Sequence, residues 1–102
     1  MFKPGDRVLC IDDSIPNERV KDDFQHWVES GKMYTIRRCT FTQLTNRYGV
    51  VLKEIKNPAI YMDVIGAKVE PMFDSVRFVK INKDEEELLE EIGNLDTNFE
   101  NN

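Results

Sequence analysis

Four short runs rich in β-branched and aromatic residues, each bounded by a turn-forming cluster, restrict the fold of this chain more than any other feature. They are residues 7–11 (RVLCI), 33–42 (MYTIRRCTFT), 48–55 (YGVVLKEI) and 75–81 (SVRFVKI). Their side chains suit a pleated, half-buried surface. Lys3-Pro4-Gly5-Asp6, Asp12-Asp13-Ser14 with Pro16, Thr45-Asn46-Arg47 and Asn57-Pro58 supply the turns between them. Strand alternation predicts that Tyr34 and Ile36 share one face and Arg37 and Cys39 the other. Val50 and Leu52 share a face, and Val79 and Ile81 lie opposite Val76 and Phe78. The expected class is mainly β, α+β by content.

Two stretches carry a different period. Between residues 17 and 30, Val20, Phe24, Trp27 and Val28 fall at i, i+4, i+7 and i+8 with charged residues between them, the apolar face of a helix. Asn17 is the expected N-cap and Gly31 the expected C′ residue, and Trp27 is expected to fasten this inserted helix to the strands. From Asn82, a second N-cap, Asp84, Glu85, Glu86 and Glu87 fill a first turn where the helix dipole favours acids. Leu88, Leu89, Ile92 and Leu95 then form a narrow apolar stripe, with Gly93-Asn94 expected to fray or end the helix. Residues 59–72 show no clean alternation and read as a long loop holding a short strand or helical turn.

The predicted organisation is therefore one domain: a body of residues 1–82 with a helical insertion at 17–30, and an acidic amphipathic helix with a frayed terminus at 83–102. Its 102 residues suit a single core. Residues 1–82 hold thirteen Lys and Arg against eleven Asp and Glu, whereas residues 83–102 hold one Lys against eight acids. The acidity belongs to the tail. No apolar run is long enough to cross a bilayer and no secretory signal is visible, so a cytoplasmic location without membrane partners is expected. Cys10 and Cys39 are too few for a disulfide framework and read as reduced, buried thiols.

The order of Gly5-Asp6-Arg7-Val8-Leu9-Cys10-Ile11, Gly31-Lys32-Met33-Tyr34-Thr35-Ile36, the apolar run 50–55 and the closing 70–78 segment (EPMFDSVRF) resembles a group of small proteins encoded by phages and prophages. These share a GDxVxCI opening, a GKxYTV second strand, an apolar third strand and an ExxFxxxRF close, and they look like SH3-type β-barrels. The resemblance spans the body and not the tail. It implies an SH3-like barrel in a bacterial host cell, from which this chain departs by its insertion at 17–30 and its long 59–72 segment. A fold does not fix a function.

Catalytic patterns are scarce. The sole histidine, His26, falls on the predicted amphipathic helix and has no obvious nucleophile to serve; no phosphate loop, dinucleotide fingerprint or zinc-ligand spacing occurs. Carboxylates are plentiful, and Asp12, Asp13, Asp63 and Asp74 could converge as a hard-metal site, but turn hydrogen bonding explains them more simply. No enzyme, cofactor or metal is expected. A non-enzymatic module for an unknown protein partner or for self-association, acting through Leu88, Leu89, Ile92 and Leu95, is the leading expectation. The alternative is a nucleic-acid-associated barrel moderated by its acidic tail, in which Arg37, Arg38, Arg47, Tyr48 and Lys53 supply cations for phosphate and a ring for bases.

Overall fold

The computed structural model describes residues 1–100, with side chains described through residue 92. Among the described residues seven strands make it mainly β: β1 (Arg7–Cys10), β2 (Met33–Thr42), β3 (Arg47–Leu52), β4 (Ile60–Met62), β5 (Ala67–Val69), β6 (Phe73–Asp74) and β7 (Phe78–Lys80). Two helices, α1 (Glu18–Asp23) and α2 (Lys83–Glu100), and a 3₁₀ turn at Ser75–Arg77 complete the order. Among the described residues no helix is long and apolar enough to cross a membrane.

Five strands form one antiparallel sheet in the order β6-β3-β2-β1-β7, and β4 pairs only with β5. Strand β2 is common to both halves: its first residues pair with β1 (Val8 opposite Tyr34) and the remainder with β3 (Cys39 opposite Val50). The register slips between Ile36 and Arg38, leaving Arg37 as the extra residue of a β-bulge. The bulge resets the alternation and corrects the predicted facing of Cys39, which packs on the core side with Tyr34 and Ile36. The expected closed barrel is not found; the two end strands, β6 and β7, are joined through the 3₁₀ turn and not paired to each other.

One cluster forms the core: Val8, Cys10, Val28, Tyr34, Ile36, Val50, Leu52, Phe73 and Phe78, with Phe24, Trp27 and Cys39 packed against it. Strand β3 is buried from Gly49 through Val51 to Leu52, so both of its faces are covered there, not only the face of Val50 and Leu52. Ile81 is buried as Phe78 is, whereas Val76 and Val79 are exposed: residues 75–77 turn in a 3₁₀ coil and β7 ends at Lys80, so the alternation expected of a longer strand does not hold.

The insertion departs most from its sequence pattern. Asn17 caps α1 as expected, its side chain accepting from Val20 N at 3.0 Å, but the helix stops at Asp23 and buries no residue. Phe24 is already extended, and Trp27 and Val28 reach the core from an irregular segment. The reason is that distant side chains satisfy this backbone: Asn57 accepts from His26 N (2.7 Å) and donates to His26 O (3.1 Å), Tyr34 Oη accepts from Glu29 N (3.0 Å), and Asp13 accepts from Ser30 N (2.9 Å). With those groups paired outside a helix, aromatic and β-branched residues follow their own preference for extended chain. Gly31, expected to end a helix, instead takes φ +87° in the turn closed by Lys32 N to Glu29 O at 3.2 Å.

Residues 59–72 contain a β-hairpin, β4–β5, in place of a loop with at most one strand. Helix α2 continues past Gly93 to Glu100 and does not end at Gly93-Asn94.

Candidate functional site

Three places on the surface gather chemistry. The first is the root of α2. Asn82 and Glu85 exchange the reciprocal bonds of a capping box, Glu85 N to Asn82 Oδ1 at 2.8 Å and Asn82 N to Glu85 Oε1 at 3.2 Å. Arg7 then reaches from β1 to Glu86, its Nη2 donating to Oε2 at 2.8 Å and its Nε lying 3.2 Å from both carboxylate oxygens. The same guanidinium donates to Thr35 Oγ1 (2.8 Å) and Glu54 (3.3 Å), so one side chain joins β1, β2, the end of β3 and α2. Its bond to Arg7 holds the Glu86 carboxyl below its ordinary range. Beyond this joint Leu88 and Ile92 are 56% and 43% exposed, and Leu89 is half-buried. The side chain of Leu95, the fourth stripe residue, lies outside the described residues.

The second place is a polar network at the β2 bulge. Arg37 Nε donates to Leu52 O at 3.0 Å, and its Nη2 reaches both oxygens of Glu70 at 2.9 and 2.7 Å. Glu70 also accepts from Asn57 N at 3.3 Å, and Asn57, buried, holds both backbone groups of His26. Burial opposes the charge on Glu70, yet the bond and charge of Arg37 outweigh it and hold the carboxyl below its usual range. A wide cleft of about 480 Å³ opens next to this network, lined by Gln25, His26, Trp27, Glu29, Lys32 and Glu54 among others. Its charges are of mixed sign, with Lys32 and Glu29 paired at 3.7 Å and Glu54 accepting from Thr35 N at 2.7 Å.

The third is an aromatic cavity of about 210 Å³ between α1 and the 3₁₀ turn. Trp27 stands edge-on to Phe24 (centroids 4.9 Å apart) and Phe73 (5.3 Å), its Nε1 donates to Asp13 O at 2.8 Å, and Arg77 lies 5.0 Å over its ring. Trp27 thus anchors the insertion, as expected, although not from a helix. Sequence reasoning missed Arg77, which falls inside the run 75–81 and was not singled out. Only its position one residue before a buried Phe78 set it apart.

The candidate nucleic-acid residues are not gathered on one face. Arg37 is turned into the bulge network. Arg47 pairs with Asp74 at 2.7 Å. Tyr48 follows Arg47 in β3 and so faces the opposite side, where it meets Phe41 across the strands with centroids 5.1 Å apart. Arg38, opposite Val51, and Lys53, beyond the end of β3, are exposed. Asp12, Asp13, Asp63 and Asp74 are likewise scattered: Asp12 binds Ser14, Asp13 binds Ser30, Asp63 lies in the β4–β5 turn and Asp74 caps the 3₁₀ turn. No three carboxylate, His or Cys ligands converge among the described residues.

Comparison with known families, curated proteins and solved structures finds no match to this chain.

Proposed function

We propose that the protein is a non-enzymatic interaction module in which a small SH3-like body presents α2 to a protein partner with a basic, apolar face. Support for the SH3-like body comes from the strand order, from the bulged strand β2 common to both halves and from the 3₁₀ turn joining the two end strands. The order of sequence elements that resembles phage and prophage proteins supports an accessory role of that origin.

One observation carries the docking reading: α2 is fastened to the body by its first turn, through Arg7 and Glu86, while Leu88 and Ile92 stay exposed. An apolar stripe on a helix surface loses free energy to water until something covers it, at roughly 25 cal/mol per Å². Charge selects the cover. Residues 83–92 hold one Lys against six acids, so a second copy laid along the stripe brings like charges together, whereas a surface rich in Lys and Arg complements the rim.

Sedimentation of the full chain, combined with titration of a synthetic Lys/Leu amphipathic peptide and of its Glu/Leu counterpart, tests this. A monomer that binds the basic peptide, with affinity reduced about tenfold in Leu88→Ser/Ile92→Ser at unchanged charge, is the expected result. A stable dimer, or binding indifferent to the double substitution, overturns it.

A further inference from the structure

Arg77 is an expensive residue to bury where it sits. It is 8% exposed, yet its charge is only partly answered: Nη1 donates to Asp12 O at 3.2 Å and lies 3.5 Å from Asp12 Oδ1, a carboxylate on a half-exposed side chain. Neither Nε nor Nη2 donates to any acceptor among the described residues. No fully enclosed side-chain nitrogen or oxygen there lacks a partner, so these two donors are not sealed in, and Arg77 lines the 210 Å³ cavity. The guanidinium is thus held largely out of water with two donors still open, and an anion that takes the place of water on them makes charge-assisted bonds.

Apart from Asp74, the rest of the cavity wall is apolar: Pro16, Val20, Phe24, Met72 and Phe73, with Trp27 fixed under the guanidinium. The one carboxylate in the wall, Asp74, is occupied by Arg47 Nη1 (2.7 Å) and Val76 N (3.2 Å). At about 210 Å³ the space is smaller than the ~300–1,000 Å³ of sites that enclose whole small ligands, and it suits a single side chain or chain end.

We propose that this cavity binds a carboxylate on a short apolar stem, with Nε and Nη2 of Arg77 as its two donors and the aromatic wall around the stem. The planar fork matches a carboxylate bidentately, Trp27 holds the guanidinium in place, and the low-dielectric wall strengthens the bond. A peptide C-terminus and a Glu side chain both present this chemistry. The site is independent of α2 and of the docking role assigned to it.

Titration of the full chain with N-acetyl-leucine, N-acetyl-glutamic acid α-amide, N-acetyl-leucinamide and inorganic phosphate tests the proposal. The emission of Trp27, the only tryptophan, and the NMR resonance of the Arg77 Nε–H are the readouts. A saturable change in both is expected with at least one of the two carboxylates, and the tighter one identifies the source as chain end or side chain. The leucinamide, which has no charge, and phosphate, which has no stem, bind at least about tenfold more weakly. Arg77→Lys weakens the carboxylate to a similar degree. Val20→Phe, which fills the cavity from a helix that buries no residue, removes the response and decides the matter if the lysine variant fails to fold. Absence of saturation with either carboxylate, equal affinity for leucinamide or phosphate, or undiminished affinity in Val20→Phe overturns the assignment.

Discussion

Gly49 is fixed by one neighbour. A Cβ there would lie 2.8 Å from the Cβ of Met72, closer than packed carbons approach, so β3 and the chain entering β6 cross where only a hydrogen fits. Gly49→Ala is expected to cost about 1–3 kcal/mol in urea unfolding, the usual penalty for overpacking. Met72→Ala keeps the offending Cβ and should not restore stability, whereas Met72→Gly should. The two thiols also differ at this scale. Cys10 is 1% exposed and burial pushes its pKa up, whereas Cys39 is only half-buried at the core margin. A maleimide is therefore expected to label Cys39 in the native protein and Cys10 only as fast as the fold opens, which mass spectrometry of timed digests would check. Equal rates at both positions would contradict this burial.

Among the elements, the segment after α1 depends on Asn57. Replacing it with Ala strands the His26 amide and carbonyl and is expected to cost about 2–3 kcal/mol, measured by urea unfolding, with accelerated hydrogen exchange at residues 24–30. This segment also shows where the sequence stops being legible. The main strands were readable from their β-branched and apolar runs between turn residues: β2 occupies the expected residues, and β1 and β3 differ from expectation only at their ends. The spacing of Val20, Phe24, Trp27 and Val28 matched a helix, but the groups that pair the backbone of residues 26–30 come from Asp13, Tyr34 and Asn57, which no local pattern contains. The β4–β5 hairpin was hidden for another reason. Tyr61, Met62, Val64 and Ile65 are all exposed, so no buried face imposed the alternation by which a strand is recognised. Arg77 was illegible because its burial depends on Trp27, fifty residues earlier in the chain.

For the molecule as a whole, carboxylates are the pH-sensitive joints. Glu54, Glu70 and Glu86, with Asp6 and Asp12, all sit below their ordinary range. At Glu54 burial works the other way and the bonds from Thr35 outweigh it. In each case the unfolded chain takes up a proton first as pH falls. The stability these groups supply is therefore present above the unfolded carboxylate values of about 4 and is lost as pH drops through the lower folded values. Urea midpoints should be level near neutrality and decline below about pH 4. Arg37→Met should lower the plateau and make the decline shallower, because Glu70 then loses the partner that depressed its pKa. An unchanged acid slope in that variant would remove Glu70 from the account.

The pairing of β1 with β7 has a consequence in time. Val8 meets Lys80, so β1 lacks its second neighbour until the chain about seventy residues after it has been made. At roughly 5–20 residues per second that wait lasts about 4–15 s. During it Val8 and Cys10, later sealed in the core, have only β2 beside them. Since Arg7 must also find Glu86, the sheet and the root of α2 close together in one late step, and a nascent chain arrested before residue 78 should stay open to a chaperone or a protease along that unfinished edge.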